Sequence, residues 1–345
     1  MKIMSLDLGQ SKTAVCTLNS HDNRATHLTR PTTRQAMHDL LLEQAPDRLV
    51  MEIGPTAGWV CDLARSMDIE VQVANPNHEA WRWRATKHKS DRIDALKLAR
   101  LSVMEQLPTV HMPDPSIRAY RQLIRYRQTL VGRTTAVKNS IRAILTREGL
   151  KLPAGKNGWS RRCRQQLWAM AREEDGAVWR MMLAVELDQL ARVEEATTRI
   201  ERQLAERARC EPGVALLRTI PGVGPRLAET IVAIIDDPHR FRRGRQVASY
   251  AGLAPRRYQS GAMDRQGRIS GQGDRLLRAL LVEVAWLGRR HNPWMRAVYE
   301  RTLRGSPSRK KIAIVAVARR LLIRCWAMLR DGTPWRPAMA LHLAA

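Results

Sequence analysis

The chain is short of acids, sparing with cysteine and free of long apolar runs, and each shortage excludes something. Only 33 Asp and Glu face 59 Lys and Arg, a formal net charge of +26. Such an imbalance points to a polyanionic partner, with nucleic acid the default. No run of 18 or more apolar residues occurs, so no membrane span is expected. The start, "MKIMSLDLGQSKTAV", is strand-like and carries an acid, unlike a signal peptide. A soluble, cytoplasmic protein without a membrane partner is the expectation. Five cysteines, Cys16, Cys61, Cys163, Cys210 and Cys325, are odd in number and far apart, with no zinc-ligand spacing, and read as reduced thiols. The nine histidines show no ligand spacing either.

What remains is a folded chain of 345 residues, 44% hydrophobic, long enough for two or three domains. Its basic residues are interleaved with apolar ones, as in "IRAYRQLIRYRQTLVGRTTAVKNSIRAIL" and "GSPSRKKIAIVAVARRLLIRCW". They decorate folded helices rather than one disordered tail. Basic amphipathic helices also lie on membranes, but cations spread over all thirds of the chain fit an extended nucleic-acid footprint better.

Alternation in "KIMSLDL", "KTAVCTL" and "RATHL" predicts three antiparallel strands within the first 28 residues. A helix over 33–44, a buried strand "RLVMEI", a helix over 56–67 and a strand "IEVQVAN" follow. Three strands and then alternating helix and strand is the order of a ribonuclease-H-like mixed sheet covered by helices. Helical spacing then runs over 112–148, from Ile117 to Leu145. Over 178–208, Leu183, Leu190, Thr197 and Leu204 recur every seven residues, offset by Val193 and Ile200. That stripe reads as a coiled-coil seam or as an ordinary surface helix, and as a seam it implies a homo-oligomer. Three segments result: a mixed α/β domain over 1–110, long helices over 111–208, and a mainly helical domain over 209–345.

Four acids occupy informative places in the first segment. Asp7 lies in the first strand, and Glu52 ends the buried run "RLVM". An unpaired buried carboxylate is costly, so such acids need partners. Asp91 and Asp94, in "KSDRIDALKLAR", share a helix face. Taken alone they read as a helix start, with Ser90 the N-cap and acids facing the helix dipole. Together with Asp7 and Glu52 they form a carboxylate cluster able to hold one or two Mg2+ ions.

Other segments bear on nucleic acid. "LLRTIPGVGPRLAETIVAII" resembles a helix-hairpin-helix, whose turn at Gly222 and Gly224 would present N–H groups to phosphate. An ordinary glycine-rich connection remains open. "WRWRATKHK" interleaves Trp81 and Trp83 with Lys87 and Lys89, as stacking on unpaired bases requires; core tryptophans are the alternative. A glycine-rich segment between helices, "ASYAGLAPRRYQSGAMDRQGRISGQGDRLLRALL", holds Ser260 beside Arg256 and Arg257. Ser260–Gly261 is by itself an everyday turn. Ser270, before "GQGD", reads as a turn or cap.

The four acids, with "DLGQSK" after the first and "DRIDA" holding the last two, resemble the DEDD transposases of the insertion-sequence-110 family, which includes the Piv and MooV invertases. "IPGVGP", "AGLAPRRYQSG" and "RISGQGDRLLRALL" continue the resemblance in order over nearly the whole chain. One stretch departs: "EIGPTAGW" stands where the family commonly shows Glu-Ala-Thr-Gly and an aromatic. The resemblance implies a RuvC-like N-terminal domain, a C-terminal transposase domain and a recombinase that cuts and rejoins DNA. It implies catalytic acids at Asp7, Glu52, Asp91 and Asp94 and a catalytic serine at Ser260, which forms a phosphoserine intermediate. It also implies a bridge RNA as guide, pairing with donor and target DNA. Arg256 and Arg257 would then bind the phosphodiester. The runner-up is a RuvC-like, metal-dependent nuclease or junction resolvase with no covalent intermediate. A sugar kinase fits poorly, because the first half has no second glycine-rich loop of the phosphate-binding sort. A non-enzymatic binding protein leaves the acids unexplained.

Overall fold

A computed structural model describes residues 1–75, 91–260 and 263–336. Two compact units divide the chain, Met1–Pro115 and Ser116–Ala345. Among the described residues no helix is long and apolar enough to cross a membrane.

The first unit is built on a five-stranded mixed sheet. Strands β1 (Lys2–Leu8), β2 (Lys12–Asn19) and β3 (Ala25–Pro31) form an antiparallel meander; β4 (Arg48–Glu52) and β5 (Glu70–Ala74) extend it in parallel beside β1. The order is β3-β2-β1-β4-β5. Gly9 makes the first hairpin possible, since a Cβ there would lie 2.4 Å from the Lys12 carbonyl oxygen. Alternation sorts the side chains of β1 and β4 onto two faces. Met4, Leu6, Leu49 and Met51 join a core that includes residues of α1 (Arg34–Gln44) and α2 (Ala57–Arg65). Ile3 and Val50 join the opposite core with Leu98 and Leu101 of α3 (Asp91–Val103). Helix α1 starts where the side chain of Thr33 accepts a hydrogen bond from the Ala36 N–H.

In the second unit, α4 (Pro115–Arg147) and α6 (Val178–Arg209) are the long elements, with α5 (Arg161–Ala171) between them in sequence. Arg127 donates to Glu201, and Ser140 to Glu186. These cross-links run in opposite senses along the two helices, so α4 and α6 are antiparallel. Leu183, Leu187 and Leu190 are buried in one cluster with Val137, Ile141 and Leu145 of α4, and Leu204 in another with Tyr120 and Ile124. The heptad stripe therefore packs on a helix of its own chain. A seam toward another protomer, expected from the stripe, is not what these leucines form, because their apolar surface is already covered.

The remainder is a helical cluster: α7 (Pro212–Leu217), α8 (Pro225–Ile235), α9 (Gly244–Tyr250), α10 (Arg275–His291), α11 (Pro293–Leu303) and α12 (Lys310–Asp331). Every residue of α8 from Leu227 to Ile235 is buried. A helix buried on all sides belongs in the middle of a core, and its two polar members there are partnered: Glu229 accepts from Arg226, and Thr230 donates to the Arg226 carbonyl. Its last carbonyls are satisfied by arginines: Arg121 donates to Ala233 and Ile234, and Arg240 to Ile234 and Ile235. Out of this cluster rises a two-stranded hairpin, β6 (Pro255–Ser260) and β7 (Met263–Ile269). The sequence pattern reads this segment only as glycine-rich. Every residue of β6 is exposed, so no buried face imposes an alternation to detect.

Four of the five cysteines are buried and all five are free thiols. Burial pushes the Cys325 thiol up to about 12, which keeps it protonated and inert.

Candidate active site

The sheet register brings two of the acids to one edge. Leu6 of β1 is paired with Met51 of β4, and Asp7 and Glu52 each follow by one residue. They stand at the C-terminal ends of adjacent parallel strands, and by alternation both belong to the α3 face. Both are half-buried. Helix α3 is docked on that face by Ser5 Oγ, which donates to the Ala95 carbonyl at 2.6 Å. At its far end Ser102 Oγ donates to Gln72 at 2.8 Å, and Arg48 donates to Ser102. Ala95 thus lies by Ser5, and Ser102 by the start of β4, so α3 runs against β1. Its first turn, which carries Asp91 and Asp94, points to the Asp7 and Glu52 edge. Asp94 is half-buried and Asp91 exposed. Ser90, read as the N-cap, lies outside the described residues.

Lys97 belongs to the same place, and the sequence pattern alone did not single it out. Burial lowers its ammonium from the ordinary lysine value, while the carboxylates of Asp94 and Glu52 pull it up. A cation therefore stands within electrostatic reach of two of the four acids. The signal was available in "DALK", where Lys97 follows Asp94 by three residues on one helix face. Among the described residues, no group of three or more His, Cys, Asp or Glu is gathered closely enough to hold a metal ion. The acids share an edge through topology without closing into a cage. Their chemistry is all carboxylate oxygen, the donor set that suits a hard divalent cation. The unusual "GPT" after Glu52 is a bend that leads into α2 and leaves Glu52 as the last residue of β4.

Ser260 is the exposed last residue of β6, paired in register with Met263. The pleat divides its neighbours. Tyr258 and its partner Arg265 share the Ser260 face, and Arg256 joins them, since both Arg256 and Tyr258 lie over Gly267. Arg257 is on the other face, where it grips Asp264 with two bonds of 2.8 and 2.6 Å. Alternation therefore sets Arg257 on the face away from Ser260 and brings Arg265 to the serine's face. Arg265 carries no mark in the sequence, because its place beside the serine depends on the hairpin register.

The hairpin base explains the glycines around it. Gly252 has φ +70, and a Cβ there would lie 1.7 Å from the Gln272 oxygen; Gly273 has φ +91, with a Cβ 2.1 Å from the Tyr250 oxygen. Backbone packs directly on backbone, which only glycine permits. Ser270 N–H donates to Ala254, and Arg278 donates to both Ala251 and Gln272. Ser270 is not the helix cap; Asp274 is, accepting from the Leu277 N–H at 2.9 Å.

The "PGVGP" turn joins α7 and α8. Gly222, at φ +94, lies against Gly288 of α10, Val223 is buried, and Asn292 donates to the Pro221 carbonyl at 3.0 Å. Gly222 and Gly224 themselves remain exposed. Trp81, Trp83, Lys87 and Lys89 lie outside the described residues.

A transposase family model for DEDD proteins of the IS110 type matches residues 4–148. The model described as "Transposase IS116/IS110/IS902 family" matches residues 214–300. A "Probable family 20 transposase" of Pseudomonas aeruginosa is 26% identical over 339 residues, 97% of this chain and 98% of its own length. The transposase for insertion sequence element IS1111A of Coxiella burnetii is 29% identical over 281 residues, 78% of this chain and 74% of its own. The pilin gene-inverting protein of Moraxella lacunata is 30% identical over 154 residues, 43% of this chain and 48% of its own. The first family model spans the strands and helix that carry the four acids, the second spans the hairpin that carries Ser260, and they follow in chain order. The chain belongs to the IS110 family and is a DNA transposase.

Proposed function

We propose that this transposase cuts and rejoins DNA through Ser260, with Asp7, Glu52, Asp91 and Asp94 as the acidic half of its chemistry. The observation that carries the reading is the placement of the acids. Asp7 and Glu52 end adjacent parallel strands, and the helix bearing Asp91 and Asp94 begins at that edge. The strand order and this placement support a RuvC-like, ribonuclease-H-like first domain. Segments 1–110, 111–208 and 209–345 then act as acidic domain, helical connector and transposase domain.

The serine hydroxyl attacks the scissile phosphorus, its Oγ–P bond forms, and the bond from phosphorus to a sugar oxygen breaks. The hydroxyl proton passes to a base, and the departing sugar oxygen takes a proton from water and leaves as a hydroxyl. The phosphodiester linkage is conserved for rejoining to a new strand. Arg256 and Arg265 on the serine face balance charge on the phosphate oxygens. A serine hydroxyl is a weak nucleophile at neutral pH, so the reaction needs an activating base. Bound at those carboxylates, Mg2+ would supply Lewis-acid polarisation of the phosphate. Lys97 holds the carboxylates of Asp94 and Glu52 in a charge-compensated setting.

Donor and target DNA are the substrates, and a bridge RNA is the assigned guide. The Gly222 and Gly224 turn and the segment with Trp81, Trp83, Lys87 and Lys89 are assigned nucleic-acid contact. Two DNA partners have four strands to exchange, so a dimer or tetramer acts. That inference rests on the reaction, not on the Leu183 to Leu204 stripe.

The test is to incubate the protein with labelled DNA, denature it, and locate any DNA-linked peptide by mass spectrometry. An adduct at Ser260, absent in Ser260→Ala, is expected. An active Ser260→Ala variant with no adduct would favour the metal-dependent nuclease.

A further inference from the structure

Away from the acids and the serine, a cleft of about 470 Å³ opens among α4, α8, α9 and α10, lined by Arg121, Arg125, Tyr250 and Arg275 among others. That size lies within the range of small-ligand sites, about 300–1,000 Å³. The cleavage reaction uses none of these side chains. Tyr250 is 41% exposed yet fixed in place. Phe241 packs on it with ring centroids 5.4 Å apart, and the Arg240 guanidinium lies 4.5 Å from its ring centre. Arg240 is in turn anchored on the final carbonyls of α8. Arg125 is held by Asp274 at 2.9 Å. Arg275 is exposed and makes no ion pair among the described residues. Beyond Arg125 a second hollow, about 540 Å³, is lined by Arg125, Gln122, Thr129 and Tyr126. Tyr126 is 46% exposed. The two hollows share Arg125, so they meet at one arginine and each holds one exposed ring, a path from Tyr250 past Arg125 to Tyr126.

We propose that this path binds a single-stranded stretch of nucleic acid, its bases stacked on Tyr250 and Tyr126 and its phosphates against Arg125 and Arg275. Every base offers a flat face to an aromatic ring, and arginine serves both phosphate and stacking. A duplex fits the cations but not the rings, because pairing hides the base faces in its stack. An apolar small molecule fits the rings but leaves Arg275 without a counter-charge. Unpaired RNA and unpaired DNA share the chemistry that this site recognises. The proposal rests on the reading of the chain as acting on nucleic acid.

The experiment measures equilibrium binding of the full chain in chelator, by fluorescence anisotropy, to a labelled oligonucleotide as single-stranded RNA, as single-stranded DNA and as DNA duplex. Tyr250→Ala and Arg275→Gln should each weaken single-strand binding by about tenfold, with duplex affinity changed less than about twofold. Tyr250→Phe, which keeps the ring, should bind like the unaltered chain and separates lost stacking from lost folding. Loss confined to RNA or to DNA identifies the source of the strand. Unchanged single-strand binding in both variants, or an equal loss on the duplex, would overturn the proposal. An unaltered chain that binds duplex but no single strand would overturn the site and leave the transposase reading standing. One that binds neither would overturn both.

Discussion

The two units differ most in charge. Residues 1–115 hold 14 Lys and Arg and 14 Asp and Glu, whereas residues 116–345 hold 45 and 19. The whole excess of +26 therefore belongs to the helical unit, although cations catch the eye along the entire chain. The neutral unit places acids at a sheet edge, where a surplus of cations would neutralise them. The basic unit is free to meet phosphate. Not every arginine there is available to do so. Arg121 and Arg240 close the end of α8, Arg278 ties the hairpin base, and Arg164 is bound to Glu194. Net charge sets the two units apart; it does not say which arginines are left open to a phosphate.

The sharpest way to break this contrast is to neutralise an acid in the first unit. Asp7→Asn or Glu52→Gln should lower strand cleavage to below about one-thousandth, by analogy with the loss of groups that act as a unit. Duplex affinity should change less than about twofold. Gel assays of cleavage and anisotropy of binding check both, and cleavage retained by the two variants would remove the acids from the reaction. Next in size is the hairpin base of the second unit. Gly252→Ala must place a side chain at φ +70 against the Gln272 oxygen, and should cost about 3 kcal/mol in denaturant unfolding. A variant as stable as the parent would mean that the clamp is not rigid.

A smaller effect should separate the units by salt. Arg265→Gln should weaken duplex binding and reduce the slope of log affinity against log salt by about 0.9 for each phosphate that the side chain no longer neutralises. The acid variants should leave that slope alone, and equal slopes for Arg265→Gln and the parent would take Arg265 off the DNA. The smallest effect concerns acid sensitivity within the helical unit. Arg164 and then Lys138 hold the Glu194 carboxyl below the usual carboxylate range. Its contribution is therefore full above the ordinary carboxylate value and is lost as pH falls through the lowered one. Glu194→Gln should cost about 1 kcal/mol at pH 7, discounted for partial exposure, and its stability should fall less steeply in acid than the parent's. Parallel pH curves in thermal melts would contradict the assignment.

The legibility of the two units differs for a physical reason. Strands β1, β2, β4 and β5 bury side chains, so alternation and apolar runs announce them, and the acids at Asp7 and Glu52 stand out against that pattern. Strands β6 and β7 bury almost nothing, and their residue types carry no periodic mark. The hairpin, and with it the partnership of Ser260 with Arg265, could not be read. The leucine stripe of α6 was visible, but a stripe records only that something covers it. Whether the cover is another protomer or α4 depends on how a chain of this length turns back on itself.

By itself the sequence determined the periodicities, the charge of each half, the chemical types at Asp7, Glu52, Asp91, Asp94 and Ser260, and the glycines that allow backbones to touch. Those are local properties, set by side-chain chemistry and dihedral freedom. Only the tertiary structure decided which acids share an edge, that Lys97 stands near Asp94 and Glu52, that Arg257 turns from the serine to Asp264, and that Tyr250 lines a cleft with arginines of α4 and α10. Such neighbours are joined by register and packing across long stretches of chain, where proximity is settled by the collective burial of the core rather than by any residue's own preference.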